Sequence, residues 1–157
     1  MADGGGLTIA PMRLGHVNGI VAEYMANDAE YARYFTPFDF TIGELTTILT
    51  KAVKDRYFIL LHNWQVAGFY MLRGWDSGYE IPSYGVWISQ QFSGRGFAWQ
   101  TLRDAVVIAR SVAAPAIMLK VHLENIRARK IYEQFGFQQT GFDSKNCNLV
   151  YHLVLSQ

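Results

Sequence analysis

The sequence predicts an α/β protein built on a mixed sheet, with its elements in the order β-α-α-β-β-β-α-β-α-β-β. Three observations carry this reading. Apolar runs of strand length recur along the chain. Stretches with apolar residues at steps of three and four stand between them. One strand passes directly into a helix through a turn bearing Gly94 and Gly96.

Taken in order, residues 1–6 read as a disordered tip and residues 7–157 as a single domain. Leu7, Ile9 and Pro11 alternate with Thr8, Ala10 and Met12, a strand pattern running up to Arg13. A helix from about His16 to Ala26 places Ile20, Val21 and Tyr24 on one side, and Asp28 is expected to cap a second, short helix through Tyr34. Thr41 and Glu44 have the spacing of a capping box, in which hydroxyl and carboxylate each satisfy a free N–H; this opens a helix to about Lys54. Tyr57–His62 and Gln65–Leu72, separated by Asn63 and Trp64, read as a hairpin. Residues 73–79 read as a loop, and Tyr84–Ser89 as the next strand.

Ala98, Leu102, Ala105, Ala109 and Val112 then describe one buried face of a helix from about Phe97 to Ala113. Pro115 ends it, because proline disfavours helix in the residue before it. Ala116–His122 is a buried strand. Asn125 opens a helix that closes at Gly136, with Ala128, Ile131, Tyr132 and Phe135 inward, and Phe137–Thr140 and Asn148–Leu155 finish the sheet.

The bulk properties exclude several classes. With 14 basic and 13 acidic residues the net charge is +1, which gives no electrostatic basis for binding nucleic acid or an anionic membrane. Cys147 is the only cysteine, so an intrachain disulfide and a multi-cysteine zinc site are both excluded. His16, His62, His122 and His152 are scattered, and no metal site is expected. The N-terminus lacks the basic-then-apolar pattern of a signal peptide, and no run approaches the ~20 apolar residues of a membrane span. The expectation is a cytoplasmic monomer or homodimer.

Chemistry concentrates in two stretches. In Trp87-Ile88-Ser89-Gln90-Gln91-Phe92-Ser93-Gly94-Arg95-Gly96-Phe97-Ala98 a strand ends, glycines turn the backbone and a helix begins. A helix N-terminus presents unpaired N–H groups and about half a positive charge, so it attracts phosphate. A diphosphate could approach the amides of Ser93 through Ala98 where Gly94 and Gly96 lack a Cβ; the alternative is a tight connection only. In the second stretch, Asn125 and Tyr132 stand seven residues apart, two helical turns, and project on one side. An amide at the helix start can hold a polar group of an elongated ligand while the phenol reaches its reactive end. The alternative is an asparagine cap, a core tyrosine and a glycine stop.

Together these stretches resemble the GNAT family of N-acetyltransferases, and the likeness runs from Leu7 to Leu155. The family motif Arg/Gln-x-x-Gly-x-Gly/Ala, which binds the CoA diphosphate, fits Ser93-Gly94-Arg95-Gly96-Phe97-Ala98 with serine in first place; the register Gln91–Gly96 restores glutamine. The motif Asn-x-x-Ala-x-x-x-Tyr-x-x-x-Gly-Phe is complete from Asn125 through Ala128 and Tyr132 to Phe137. The resemblance implies acetyl-CoA as cosubstrate, with the asparagine against CoA and Tyr132 as general acid near its sulfur. It also implies a fourth strand splayed from the fifth, so that the main chain of Val86, Trp87 and Ile88 can pair with the pantetheine arm.

An amine must be neutral to attack a thioester, so something must accept a proton. Glu80, 14 residues before Gly94, matches the place where histone-modifying members of the family carry a catalytic glutamate; the alternative is an exposed loop carboxylate. His122 is the other titratable candidate, the alternative being an ordinary strand-end histidine, and Asp76 is a candidate contact for a cationic substrate, the alternative being a solvent-exposed carboxylate. Tyr24, Tyr31, Tyr34, Phe35, Phe38 and Phe40, joined by Trp75 and Tyr79, suggest an aromatic-walled acceptor site; the alternative is that most of these rings pack between the helices and the sheet. The expected acceptor is a small-molecule primary amine, an amino sugar or an amino-acid-like metabolite. The competing readings are acetylation of a protein or peptide amine, and a catalytically silent acyl-CoA-binding domain. A dinucleotide fold is disfavoured because the first strand lacks its glycine turn.

Overall fold

The chain folds around a seven-stranded sheet in the order β1-β2-β3-β4-β5-β7-β6. The computed structural model describes residues 6–35 and 37–156, so the tip read over residues 1–6 lies, Gly6 apart, outside the described residues. The strands are β1 (Leu7–Pro11), β2 (Arg56–His62), β3 (Gln65–Arg73), β4 (Ser83–Ile88), β5 (Ala116–His122), β6 (Gln138–Asp143) and β7 (Asn148–Val154). The helices are α1 (Val17–Met25), α2 (Ile42–Lys51), α3 (Phe97–Ser111) and α4 (Ile126–Phe135). Their succession is the one that the sequence predicts.

Both faces of the sheet are covered, which is why β2 and β3 read as almost continuous apolar runs. Successive side chains of a strand point to opposite faces. Tyr70 and Leu72 accordingly join Tyr84, Leu102, Ala105, Ile117 and Leu119 in the core under α3 and α4. Phe69 and Met71 join Val17, Ile20, Leu45, Ile59 and Trp87 under α1 and α2.

Three expectations are corrected. The segment Asp28–Tyr34 is a succession of turns rather than a helix. Its capping residue is committed elsewhere: the Asp28 N–H donates to Gln90 Oε1 at 3.0 Å, and the Asp28 carboxylate accepts from Gln90 Nε2 at 2.9 Å. Helix α2 stops at Lys51 rather than near Lys54, because Asp76 collects the N–H groups of Val53, Lys54 and Asp55. At its other end the Thr41 hydroxyl accepts the Glu44 N–H at 3.1 Å, but the Thr41 N–H donates to the Asp39 carbonyl, so only half of the capping box forms.

The sheet changes direction where β4 meets β5. Strand β4 runs antiparallel to β3 along its whole length, from Ser83 opposite Arg73 to Ile88 opposite Gly68. To β5 it is parallel and paired only at Ser83 opposite Met118. Beyond that point the two strands diverge. Among the described residues, no helix is long and apolar enough to cross a membrane.

Candidate active site

The divergence of β4 and β5 opens a cleft of about 490 Å³. Which backbone groups face it follows from alternation. The Ser89 N–H donates to the Ala67 carbonyl at 2.8 Å, and the Met118 N–H to the Pro82 carbonyl at 2.9 Å. Main-chain groups of Gly85, Trp87 and Ser89 therefore belong to the ladder with β3, and those of Tyr84, Val86 and Ile88 point towards β5. Of the three residues expected to offer main chain to a ligand, Val86 and Ile88 turn main-chain groups towards the β5 side. Trp87 lines the cleft with its ring, which is 3% exposed and packs against Tyr24 and Phe40. The Ile88 carbonyl already accepts the Tyr31 hydroxyl at 2.8 Å.

At one end of the cleft lies the glycine turn. Gly94 (φ 78°) and Gly96 (φ 79°) both occupy the left-handed region that favours glycine. Gly96 precedes α3, which has no side-chain cap and no acidic residue in its first turn. Its leading N–H groups are thus left for an outside partner. A Cβ built on Gly96 meets nothing within 4 Å, so the protein itself does not fill the space beside the turn. Ser93, Gly94, Gly96, Phe97 and Ala98 line the cleft. Arg95 does not: its guanidinium lies 5.2 Å from the Phe92 ring and 3.4 Å from His62 Nε2.

Arg127, which sequence reasoning passed over, stands at this turn. A Cβ on Gly94 would lie 3.3 Å from its Nη2, and it too lines the cleft. It occupies an unspecified position of the second motif, two residues after Asn125, where helical geometry carries it to the same end as the cap. A cation beside an uncapped helix start favours negative charge there.

Helix α4 performs two tasks with one motif. Asn125 Oδ1 accepts the Ala128 N–H at 3.4 Å and caps the helix, while the residue also lines the cleft, where its NH₂ group remains a donor. The cap predicted from the sequence is present, and the same residue stands on the cleft wall. Two turns on, Tyr132 is 9% exposed, with its ring edge-on to Tyr84 at 6.2 Å and Phe137 at 5.9 Å. Burial pushes its phenol well above the ordinary tyrosine range, so at neutral pH it holds its proton.

The opposite wall is built by residues 31–35 and by β5. Tyr31, Tyr34 and Phe35 line the cleft. The other expected aromatic residues do not. Tyr24 stacks on Phe40 at 3.8 Å, Phe38 and Phe40 pack on Phe69, Trp75 packs against the α3 core, and Tyr79 is exposed. Segment 27–35 is tied to the end of β4 by further bonds: Asn27 Nδ2 donates to Ser89 Oγ, the Gln90 N–H donates to Asn27 Oδ1, and Ser89 Oγ donates to the Glu23 carboxylate. From β5, Lys120 and His122 reach the cleft.

His122 Nδ1 accepts the Glu124 N–H at 3.1 Å, which puts the neutral ring's hydrogen on Nε2. The ring stacks on Tyr34 at 4.8 Å. In this state Nε2 is a donor and cannot take a proton. Glu80 is exposed in the segment before β4 and is not among the cleft-lining residues. Asp76 is a structural acceptor for three backbone N–H groups, which hold its carboxyl below the ordinary range, so it is not placed to receive a cationic substrate. Among the described residues no group of three His, Cys, Asp or Glu side chains could hold a metal ion.

Comparison with known proteins agrees with this arrangement. A family model described as an acetyltransferase (GNAT) domain matches residues 6–138. Over 57 residues the chain is 39% identical to an uncharacterized N-acetyltransferase, YycN, of Bacillus subtilis strain 168; the match covers 36% of this chain and 36% of that protein. An N-acetyltransferase from Staphylococcus aureus Mu50 superposes with a TM-score of 0.77 at 22% identity, covering 96% of this chain and 99% of that one. Spermidine N-acetyltransferase from Vibrio cholerae, solved with CoA and spermine, superposes with a TM-score of 0.75 at 20% identity, covering 95% of each chain. At these identities the structural likeness is one of fold. With the family model spanning β1 to the start of β6 and both motifs meeting across the β4–β5 cleft, the chain belongs to the GNAT acetyltransferases, a family of acyl-CoA-dependent enzymes.

Proposed function

We propose that this chain transfers the acetyl group of acetyl-CoA directly to the primary amine of a small-molecule acceptor. The observation that carries the proposal is the β4–β5 cleft, which runs from an uncapped helix start beside Arg127 to the buried hydroxyl of Tyr132. The fit to CoA rests on that end of the cleft: two left-handed glycines, open space at Gly96 and a guanidinium at Gly94 suit a diphosphate. Val86 and the Ile88 N–H are the backbone groups to pair with pantetheine amides, and the Asn125 NH₂ group offers a further donor. Acetyl-CoA, when bound, supplies an acyl group already activated as a thioester.

The protein's part is positioning and proton handling. Tyr132 Oη carries the proton that a departing thiolate requires, in surroundings that keep the phenol neutral. Glu80, exposed and outside the cleft wall, can take the amine's proton only through water, and that is the role proposed for it. The acceptor approaches along the wall of Tyr31, Tyr34 and Phe35, whose rings suit a small amine with an apolar body.

The test is calorimetry with acetyl-CoA, followed by release of free CoA thiol in the presence of primary amines. Tight binding with amine-dependent thiol release is expected. Binding without release for any amine would make the chain a silent acyl-CoA-binding domain.

A further inference from the structure

The acceptor wall has an electrostatic character that the family does not dictate. Its ionisable side chains other than tyrosine are Lys120, His122 and Arg127, and no carboxylate is among the described residues lining the cleft. Arg127 belongs to the glycine turn and is matched by a diphosphate there. Lys120 and His122 stand at alternate positions of β5, so both face the α1–α2 side of the sheet, roughly 7 Å apart along the strand. Asn148 of β7 is directly opposite His122 and also lines the cleft. Cross-strand partners share a face, so these three side chains form one patch.

Each member of the patch is a donor. His122 is held as its Nε2–H tautomer by the Glu124 N–H on Nδ1, and its ring is fixed against Tyr34. The Lys120 ammonium gives one hydrogen bond to Asp143 Oδ2 at 3.4 Å, and an ammonium has three donors. Asp143 is not a cleft residue; its carboxylate also accepts the Lys145 N–H and the Asn146 amide. The contact with Asp143 is long and half-exposed, so the ammonium keeps its charge and has further donors to offer. Such a patch suits a monoanion with two oxygens better than a phosphate dianion, and it has no partner for a second ammonium.

We propose, on top of the acetyltransferase reading, that the acceptor is an amino carboxylate. Lys120, with the His122 Nε2–H and Asn148, holds its carboxylate. The same lysine lowers the cost of the reactive form, because a cation near the acceptor ammonium favours loss of its proton. A polyamine, with several cations, meets the Lys120 cation and no carboxylate among the described residues lining the cleft.

The experiment compares matched trios of amines in the acetyl-CoA assay: phenylalanine, phenylalaninamide and phenethylamine; methionine and its two counterparts; and spermidine. Within each trio the carboxylate member is expected to have the highest kcat/KM, by roughly tenfold or more over its amide. Lys120→Gln should raise KM for the carboxylate member by roughly tenfold and leave the amide's unchanged, while Asp143→Asn should not raise either. The proposal is overturned if spermidine, an amide or a decarboxylated amine is the best acceptor, if no carboxylate member is acetylated, or if Lys120→Gln affects both members equally. Failure of acetyl-CoA to bind in calorimetry would count instead against the acetyltransferase reading.

Discussion

Replacing Gly96 with aspartate sets the strain of one residue against the charge of a diphosphate, and the structure separates the two. The residue sits at φ 79°, ψ 12°, where an ordinary L-residue costs about 1–2 kcal/mol, and aspartate somewhat less. A carboxylate at a helix N-terminus returns about 0.3–1 kcal/mol. No atom lies within 4 Å of the new Cβ, so packing adds nothing. The folded state should therefore change by no more than about 1 kcal/mol, which in a chain of this size shifts Tm by about 2–4 °C.

Binding is another matter. One carboxylate charge about 5 Å from one phosphate charge repels by about 3 kcal/mol at an effective dielectric constant of about 20, before screening at this exposed turn. An acetyl-CoA affinity about 100-fold weaker at low salt is expected for Gly96→Asp, with the deficit narrowing as salt rises. Gly96→Ala supplies the control: at least as much backbone strain and the same Cβ, with a salt-independent loss. Calorimetry at two salt concentrations, beside a thermal melt, reads all of these. Unchanged affinity in the folded Gly96→Asp protein would place the diphosphate elsewhere and refute the reasoning.

Tyr132→Phe keeps the ring packing and removes the proton donor, so kcat should fall by about 10²–10⁴ with little change in acetyl-CoA affinity; an unaltered kcat would leave the thiolate to solvent. Glu80→Gln should flatten the acidic limb of the pH–rate profile without touching acetyl-CoA affinity, and an identical profile would end the water-relay role. Asp76→Ala should lower Tm at neutral pH. The Asp76 carboxyl is held down by the N–H groups of Val53, Lys54 and Asp55, so its contribution is present above the unfolded carboxylate range, about pH 3.9, and is lost as pH falls through the lower folded value. The gap in Tm between the two proteins should close in strong acid; a gap independent of pH would show that the carboxylate's charge plays no part.

The elements legible in the sequence are those whose signals are local. Strand β5 follows from a proline, an apolar run and an asparagine cap, and α4 from that cap and a glycine stop; both are found where expected. What the sequence misplaces is decided by partners far along the chain. Asp28 looks like a helix cap until Gln90, 62 residues away, takes both its N–H and its carboxylate. Asp76 looks like a substrate contact until residues 53–55 fold against it. Half of the aromatic wall is core because Phe69 and Trp87 face the same side of the sheet, a fact of strand parity that no list of rings near the N-terminus contains. Arg127 and Lys120 have no site role legible in the sequence, for a related reason. A surface cation becomes a site only when a second element, the Gly94 turn or the β7 strand, is brought beside it.

The parting of β4 from β5 also bears on how the protein avoids its own kind. An unpaired strand flank is an open edge, and open edges recruit strands from other chains. Most sheets keep such edges at their rims and blunt them with charge; this one has a further edge in its middle. It is recessed between α3 and α4 on one side and segment 27–35 on the other, and the Tyr31 hydroxyl occupies one of its carbonyls. A strand arriving from another molecule has to pass these flanking elements to reach the free backbone of Val86 and Ile88. Under the proposed function the cosubstrate itself would occupy those backbone groups, so that ligand binding completes the protection of the edge.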